Sequence, residues 1–256
     1  MVRSHLERLL HNKLSRYMFL FVLLLPLVDF AQLLREKLRF GVELHPASAF
    51  FLSGSTIGHT AQILLLWFLP FYSLLIGAED AIQDKKTGYR NLLISKAGRK
   101  NYVLEKLMTS FVVSFAVLFT ALFVNFALCF LFFANGTSMH GLEEIKMPDR
   151  SLFSLSIAHP YLTVLLFSLA ASLLAGCAGM LGASVSLFFA DRKFAYTAAF
   201  FIWFLLVLRD PSLMLVFQPF AEYGFDVLVP TFLFSLTVFI VVAVFTFIYE
   251  WKFHEN

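Results

Sequence analysis

Long apolar runs separated by short polar segments dominate the pattern of hydrophobic and polar positions along the chain. Most of these runs reach the roughly 20 residues that an α-helix needs to cross the hydrocarbon core of a bilayer. Backbone groups in lipid must form their hydrogen bonds within their own segment, so runs of this length predict helices. Six spans are predicted, at Tyr17–Leu34, Thr56–Ala78, Leu107–Ala134, Tyr161–Ala190, Phe194–Leu208 and Val229–Tyr249.

The composition agrees with a membrane domain. Of the 256 residues, 59% are hydrophobic and 14% are charged, whereas an ordinary soluble domain has roughly 45–50% apolar and about 25% charged residues. The net charge of +3 is too small to indicate nucleic-acid binding. Cys129 and Cys177 both fall inside predicted spans and form neither a disulfide framework nor a metal-binding spacing. We therefore predict an all-α polytopic membrane protein, with one transmembrane domain over residues 1–256.

The distribution of basic residues predicts the orientation in the membrane. If both termini lie in the cytoplasm, the inner segments hold fourteen of the twenty Lys and Arg residues. This is the excess of positive charge expected on the cytoplasmic side. We therefore predict a multi-pass protein of the cell membrane with its N-terminus and C-terminus in the cytoplasm.

The first sixteen residues combine apolar positions at helical spacing with basic residues on the other side. The apolar positions are Val2, Leu6, Leu9, Leu10 and Leu14. This pattern is typical of an amphipathic helix that lies on the surface of a lipid bilayer. We predict such an interfacial helix over residues 1–16; a plain basic flank without a helix is the alternative.

Two sets of residues inside the predicted spans are candidates for contacts. Ala175, Gly179 and Ala183 are spaced by four, and small residues at this spacing let two helices approach closely. They predict a helix-packing face, either inside the chain or between subunits. Asp29 and Asn125 are polar residues within apolar spans, which makes them candidates for a transport path or a polar contact.

The polar segment between the second and third spans, residues 79–106, is the most informative part of the chain. A short apolar cluster of Leu92, Leu93 and Ile94 lies between Gly88 and Gly98, with charged residues on both sides. The flanking glycines predict a short helix set off by turns. Apolar side chains ringed by charge are what the docking of a soluble partner requires. A solvated loop with an incidental leucine pair is the alternative.

This segment resembles the first coupling region of ABC-type-2 transporter permeases. In that family an acidic residue ends the second span, a glycine-containing segment and a short helix follow, and a lysine opens the third span. The matching residues are Glu79, Gly88, Leu92, Leu93, Arg99 and Lys106, and Tyr89 and Ile94 complete the expected ATPase-coupling surface. The resemblance implies the membrane subunit of an exporter, paired with a second copy or a related permease. A separate cassette ATPase would bind ATP and Mg, and the substrate would be amphipathic, such as a peptide, a bacteriocin or a lipid.

The residues themselves indicate a chain that is not an enzyme and binds no cofactor of its own. The sequence contains no G-x-x-x-x-G-K-[ST] phosphate loop and no histidine pair with metal-ligand spacing. Ser184 lies in a weak protease-like pattern, but no histidine base is placed to activate it. Two other classes stay open: a secondary transporter or channel that needs no ATPase, and a membrane anchor or sensor that recruits a soluble partner.

Overall fold

The computed structural model describes residues 11–139, 141–142, 145 and 151–252, and this part of the chain is built from helices. They are α1 (Lys13–Phe40), α2 (Thr60–Trp67), α3 (Leu69–Ser73), α4 (Asp80–Lys86), α5 (Tyr89–Ala97), α6 (Arg99–Phe132), α7 (Ser151–Ala158), α8 (Pro160–Phe188), α9 (Arg192–Leu208) and α10 (Phe225–Lys252). Short 3₁₀ segments lie at Phe51–Ser53 and Leu213–Phe217, and a π-helical turn lies at Leu74–Ala78. The described residues form no strand beyond an isolated bridge between Leu44 and Ser138. The all-α prediction is confirmed.

Within the described residues, four helices are long and apolar enough to cross a membrane: α1, α6, α8 and α10. They contain or closely match the first, third, fourth and sixth predicted spans. The fifth predicted span corresponds to α9, which has only 17 residues. The helix lengths therefore support a membrane protein.

The second predicted span is not one continuous helix. The axis of Thr60–Trp67 is bent by 59° from that of Leu69–Ala78. The cause is Pro70, which lacks a backbone N–H and whose ring crowds the preceding turn. The Tyr72 hydroxyl donates to the carbonyl of Leu64 over 2.9 Å, which gives a backbone group near the break a partner. The prediction of an unbroken helix over 56–78 is therefore wrong.

The N-terminal prediction also needs a correction at its end. Residues 1–10 of the predicted interfacial helix lie outside the described residues. The Asn12 side chain accepts a hydrogen bond from the Leu14 N–H over 3.0 Å, which caps a helix that begins at Lys13. Residues 13–16 therefore belong to the first membrane helix rather than to a separate one.

Helix α8 lies at the centre of the bundle, and its small residues let a neighbouring helix approach closely. Ala175, Gly179 and Ala183 are all buried. A β-carbon on Gly179 would lie 2.3 Å from Ser114 Oγ and 2.5 Å from the carbonyl oxygen of Ser110, both on α6. Such close approach of two helix backbones requires glycine. This small-residue face is therefore occupied by α6 of the same chain and is not open to another subunit.

Gly179→Ala is expected to destabilise the protein by about 1–3 kcal/mol, the usual cost of overpacking a core. The added carbon has no room because one of its close neighbours is backbone. The measurement is the unfolding transition in detergent micelles. Gly182→Ala is the matched control, since its added carbon would lie 3.1 Å from the nearest atom, the Ala78 β-carbon. An equal loss in both variants would contradict the assigned close contact.

Candidate functional site

One end of the bundle gathers the predicted coupling segment 79–106 together with the ends of α8, α9 and α10. We call it the charged end. Its ion-paired residues are Glu79, Asp80, Asp84, Arg90, Lys106, Arg192 and Glu250. All except Arg192 are buried. Charges buried at this density must be paired, so their partners define how the helices at this end are joined.

The predicted short helix is present as α5, between Gly88 and Gly98. Gly88 has φ +72° and Gly98 has φ +78°, both in the left-handed region that glycine enters without a steric penalty. Gly88 separates α4 from α5, and Gly98 separates α5 from α6. The two glycines therefore set α5 off as a separate nine-residue element.

The side chains of α5 divide into an outward and an inward face. Tyr89 and Leu92, three residues apart, are 42% and 56% exposed. Leu93 is only 7% exposed and Ile94 packs against the core. Both leucines were predicted for the docking surface, but only Leu92 is exposed, because neighbouring residues on a helix point in different directions. Leu93 anchors the helix, and Leu92 is the apolar side chain left outside.

An ion pair fastens α5 to the last turn of α10. Arg90 donates to Glu250, a residue 160 positions further along the chain. The two side chains are 9% and 1% exposed. The pair therefore fixes the short helix to the C-terminal membrane helix.

A second buried ion pair joins α4 to α6. Lys106 Nζ lies 2.9 Å from Asp84 Oδ2 and 3.9 Å from Asp80 Oδ2. The Tyr102 hydroxyl donates to Asp84 over 3.3 Å. Lys106 was predicted as a coupling contact, but its buried amine serves an internal joint.

A third joint connects the end of the bent second span to α9. Glu79 accepts a hydrogen bond from the Tyr196 hydroxyl over 2.8 Å and lies 2.8 Å from Arg192. Glu79 was also predicted as a coupling residue, and its carboxylate too is engaged within the chain. Arg99, the remaining predicted residue, is the first residue of α6 and is partly buried.

Sequence reasoning missed Arg90, Asp84, Tyr196 and Glu250. For Glu250 a signal existed: an acidic residue close to the end of a strongly apolar helix indicates a specific partner. The partner's identity was not readable, because it lies on a distant part of the chain.

The two polar residues inside the spans are both used to hold the segment 41–59. Asn125, fully buried, donates to the carbonyl of Pro26 over 2.8 Å and accepts from the Phe51 N–H over 3.0 Å. Asp29, 2% exposed, accepts from the Thr56 hydroxyl. Asp29 and Asn125 were predicted to serve either a transport path or a polar contact, and in the described structure both make polar contacts. The burial of Phe51 that results was not foreseen from the sequence.

The charged end holds its helices together by ion pairs. Among the described residues, no group of three or more His, Cys, Asp or Glu side chains is placed to hold a metal ion. Each ionic joint instead connects two helices, so a movement of α5 reaches α10 directly. Charged pairs removed from water resist separation, which makes the two buried joints, Arg90–Glu250 and Lys106–Asp84, stiff.

These features define the class of the chain: a helical membrane protein whose charged residues join helix ends at one end of the bundle. The chain is 49% identical over 255 residues to YybM, an uncharacterized protein of Bacillus subtilis, and the match covers 100% of both chains. The chain therefore belongs to the same family as YybM. No family model matches it, and no solved structure matches it.

Proposed function

We propose that this chain is the membrane subunit of an ATP-driven exporter, with α5 receiving force from a separate cassette ATPase. The observation that carries the proposal is the two-sided character of α5. Tyr89 and Leu92 face outward, while Leu93 and Arg90 fasten the helix to the core and to α10. An exposed apolar contact on a firmly anchored element is what mechanical coupling between two proteins requires.

The proposed topology places the charged end in the cytoplasm, where an ATPase would reach it. Six spans are obtained if α9 and the bent second span both cross the membrane. The excess of basic residues on the inner segments supports this orientation. A second copy of the chain or a related permease would complete the export path, and the cell membrane is the proposed location.

The three joints give a route for the force. Closure of the ATPase on ATP and Mg would press on Tyr89 and Leu92, and Arg90 would carry the displacement to α10. The joints at Lys106 and Glu79 would make α4, α6 and α9 move with it as a nearly rigid set. The exported substrate would be amphipathic, such as a peptide or a lipid-like molecule.

Leu92→Asp is expected to reduce the cassette ATPase that co-purifies with the tagged chain by about tenfold or more, the scale of a lost interface anchor. The variant is expected to melt at the same temperature as the unmodified chain, because Leu92 is 56% exposed. Leu104→Asp is the matched control, an equal change at a leucine that is 48% exposed on the neighbouring helix. Leu93→Asp is unsuitable, since it would bury a charge.

Other outcomes would contradict the exporter. If Leu92→Asp and Leu104→Asp retain the ATPase equally, the docking surface is wrongly assigned. If the purified chain alone conducts ions or couples transport to protons, it is a channel or secondary transporter. If the co-purifying partner hydrolyses no ATP, the chain is an anchor or sensor.

A further inference from the structure

A cavity of about 560 Å³ opens at the end of the bundle opposite the charged end. We call it the outer cavity. It lies between residues 48–67, which include α2, and residues 214–221, which include most of the second 3₁₀ segment. Its volume falls in the range of roughly 300–1,000 Å³ that small-molecule sites occupy. The 59° bend after Trp67 lies beside it, because Trp67 is one of the lining residues.

The wall of the outer cavity is apolar on its inner side. Leu52, Leu66 and Phe217 are buried core residues, and the Trp67 ring lies beside them. Trp67 in turn packs against Phe204 of α9, with ring centroids 6.0 Å apart. The wall is thus a fixed surface of large side chains, suited to an alkyl or aromatic body.

The rim of the outer cavity is polar but carries no acidic or strongly basic group among its described residues. Gln62 donates to the carbonyl of Leu52 over 3.0 Å and keeps its amide oxygen available. The side chains of His59 and Gln218 belong to exposed residues and make no hydrogen bond within the described part of the chain. Amide and imidazole groups of this kind recognise hydroxyl and amide groups of a ligand.

His59 also has an unusual backbone conformation. Its φ is +48°, in the left-handed region, and every other described residue with a φ in that region is a glycine. Its ring crosses the rim above Gly54, whose added β-carbon would lie 3.2 Å from His59 Nδ1. Backbone held in a sparsely populated conformation is concentrated at ligand sites. The conformation keeps the imidazole at the mouth of the cavity.

We propose that the outer cavity binds an uncharged amphiphile, with its apolar part against Trp67 and its hydroxyl or amide head group at His59 and Gln218. A charged head group would find no opposite charge among the described lining residues. A fully apolar ligand would leave the rim groups without partners. Binding itself is independent of ATP, whereas the use of the cavity by an exported molecule rests on the proposed function.

The test is photolabelling of the full chain in lipid nanodiscs, with no ATPase present. The probe is a nonionic alkyl glycoside that carries a diazirine on its chain, and labelled peptides are located by mass spectrometry. We expect labelling within residues 48–67 or 214–221, and an excess of unlabelled alkyl glycoside should suppress it by about tenfold or more, as a saturable site requires.

Ile63→Trp, which fills the cavity from its lining, is expected to abolish this labelling. Ile240→Trp is the control, because Ile240 is similarly exposed, at 51% against 44%, but lies outside the cavity lining. The proposal is overturned if labelling is not suppressed by the competitor, if Ile63→Trp leaves it unchanged, or if alkyl carboxylates or alkylammonium ions compete better. Since no ATPase is present, failure of the exporter assignment leaves this result unaffected, and the reverse also holds.

Discussion

Replacing Lys106 with Met is expected to lower the free energy of unfolding by about 3–5 kcal/mol, the range for breaking a buried ion pair at one side. The variant would leave Asp84, 1% exposed, without the ammonium that lies 2.9 Å from it. Asp80 would lose the same cation. The loss should shrink as the pH falls, because protonation of a carboxylate removes the charge that needs a partner.

Denaturant unfolding in detergent micelles at several pH values would measure this effect. Lys96→Met is the control, since Lys96 is an exposed lysine on α5 and surface changes usually stay within about 0.5 kcal/mol. Adding Asp84→Asn to Lys106→Met should recover part of the stability. If the two lysine variants unfold alike, the joint between α4 and α6 is not an energetic constraint.

Arg90→Met is expected to cost about 3–5 kcal/mol as well, because it leaves Glu250 charged and buried. The double variant Arg90→Met, Glu250→Met is expected to be close to neutral, or more stable by about 1–4 kcal/mol, since no charge then remains unpaired. The same unfolding measurement applies. If the double variant is as unstable as Arg90→Met, the two side chains stabilise the fold by more than neutralising each other's charge.

The double variant also separates docking from force transmission. It keeps Leu92 exposed and should still bind the cassette ATPase, but its α5 has lost the ionic joint to α10. We expect the ATPase to co-purify in normal amount while ATP-driven transport of the chain's substrate is reduced. This differs from Leu92→Asp, for which binding itself is lost. Normal transport by a stable double variant would remove the joint from the proposed force route.

The sequence predicted the position of helix α5 but not which of its side chains face outward. Gly88 and Gly98 marked both ends of α5 because the left-handed conformation is a local property of the backbone. Which of Leu92 and Leu93 faces out was not readable, because the charged residues around them give no amphipathic pattern that fixes the rotation of so short a helix. The burial of Lys106 was not readable for a related reason: a lysine at the end of a membrane span is ordinarily solvated, and only its neighbours in the structure show that it is buried.

The sequence by itself determined that this is an all-α protein with several helices able to cross a membrane, because a long apolar segment in hydrocarbon can satisfy its backbone within itself only as a helix. The tertiary structure alone decided that Asn125 holds Phe51 in the core and that Arg90 meets Glu250. Those outcomes depend on groups far apart in the chain, and a pairing over 160 positions leaves no local pattern in the residues between them.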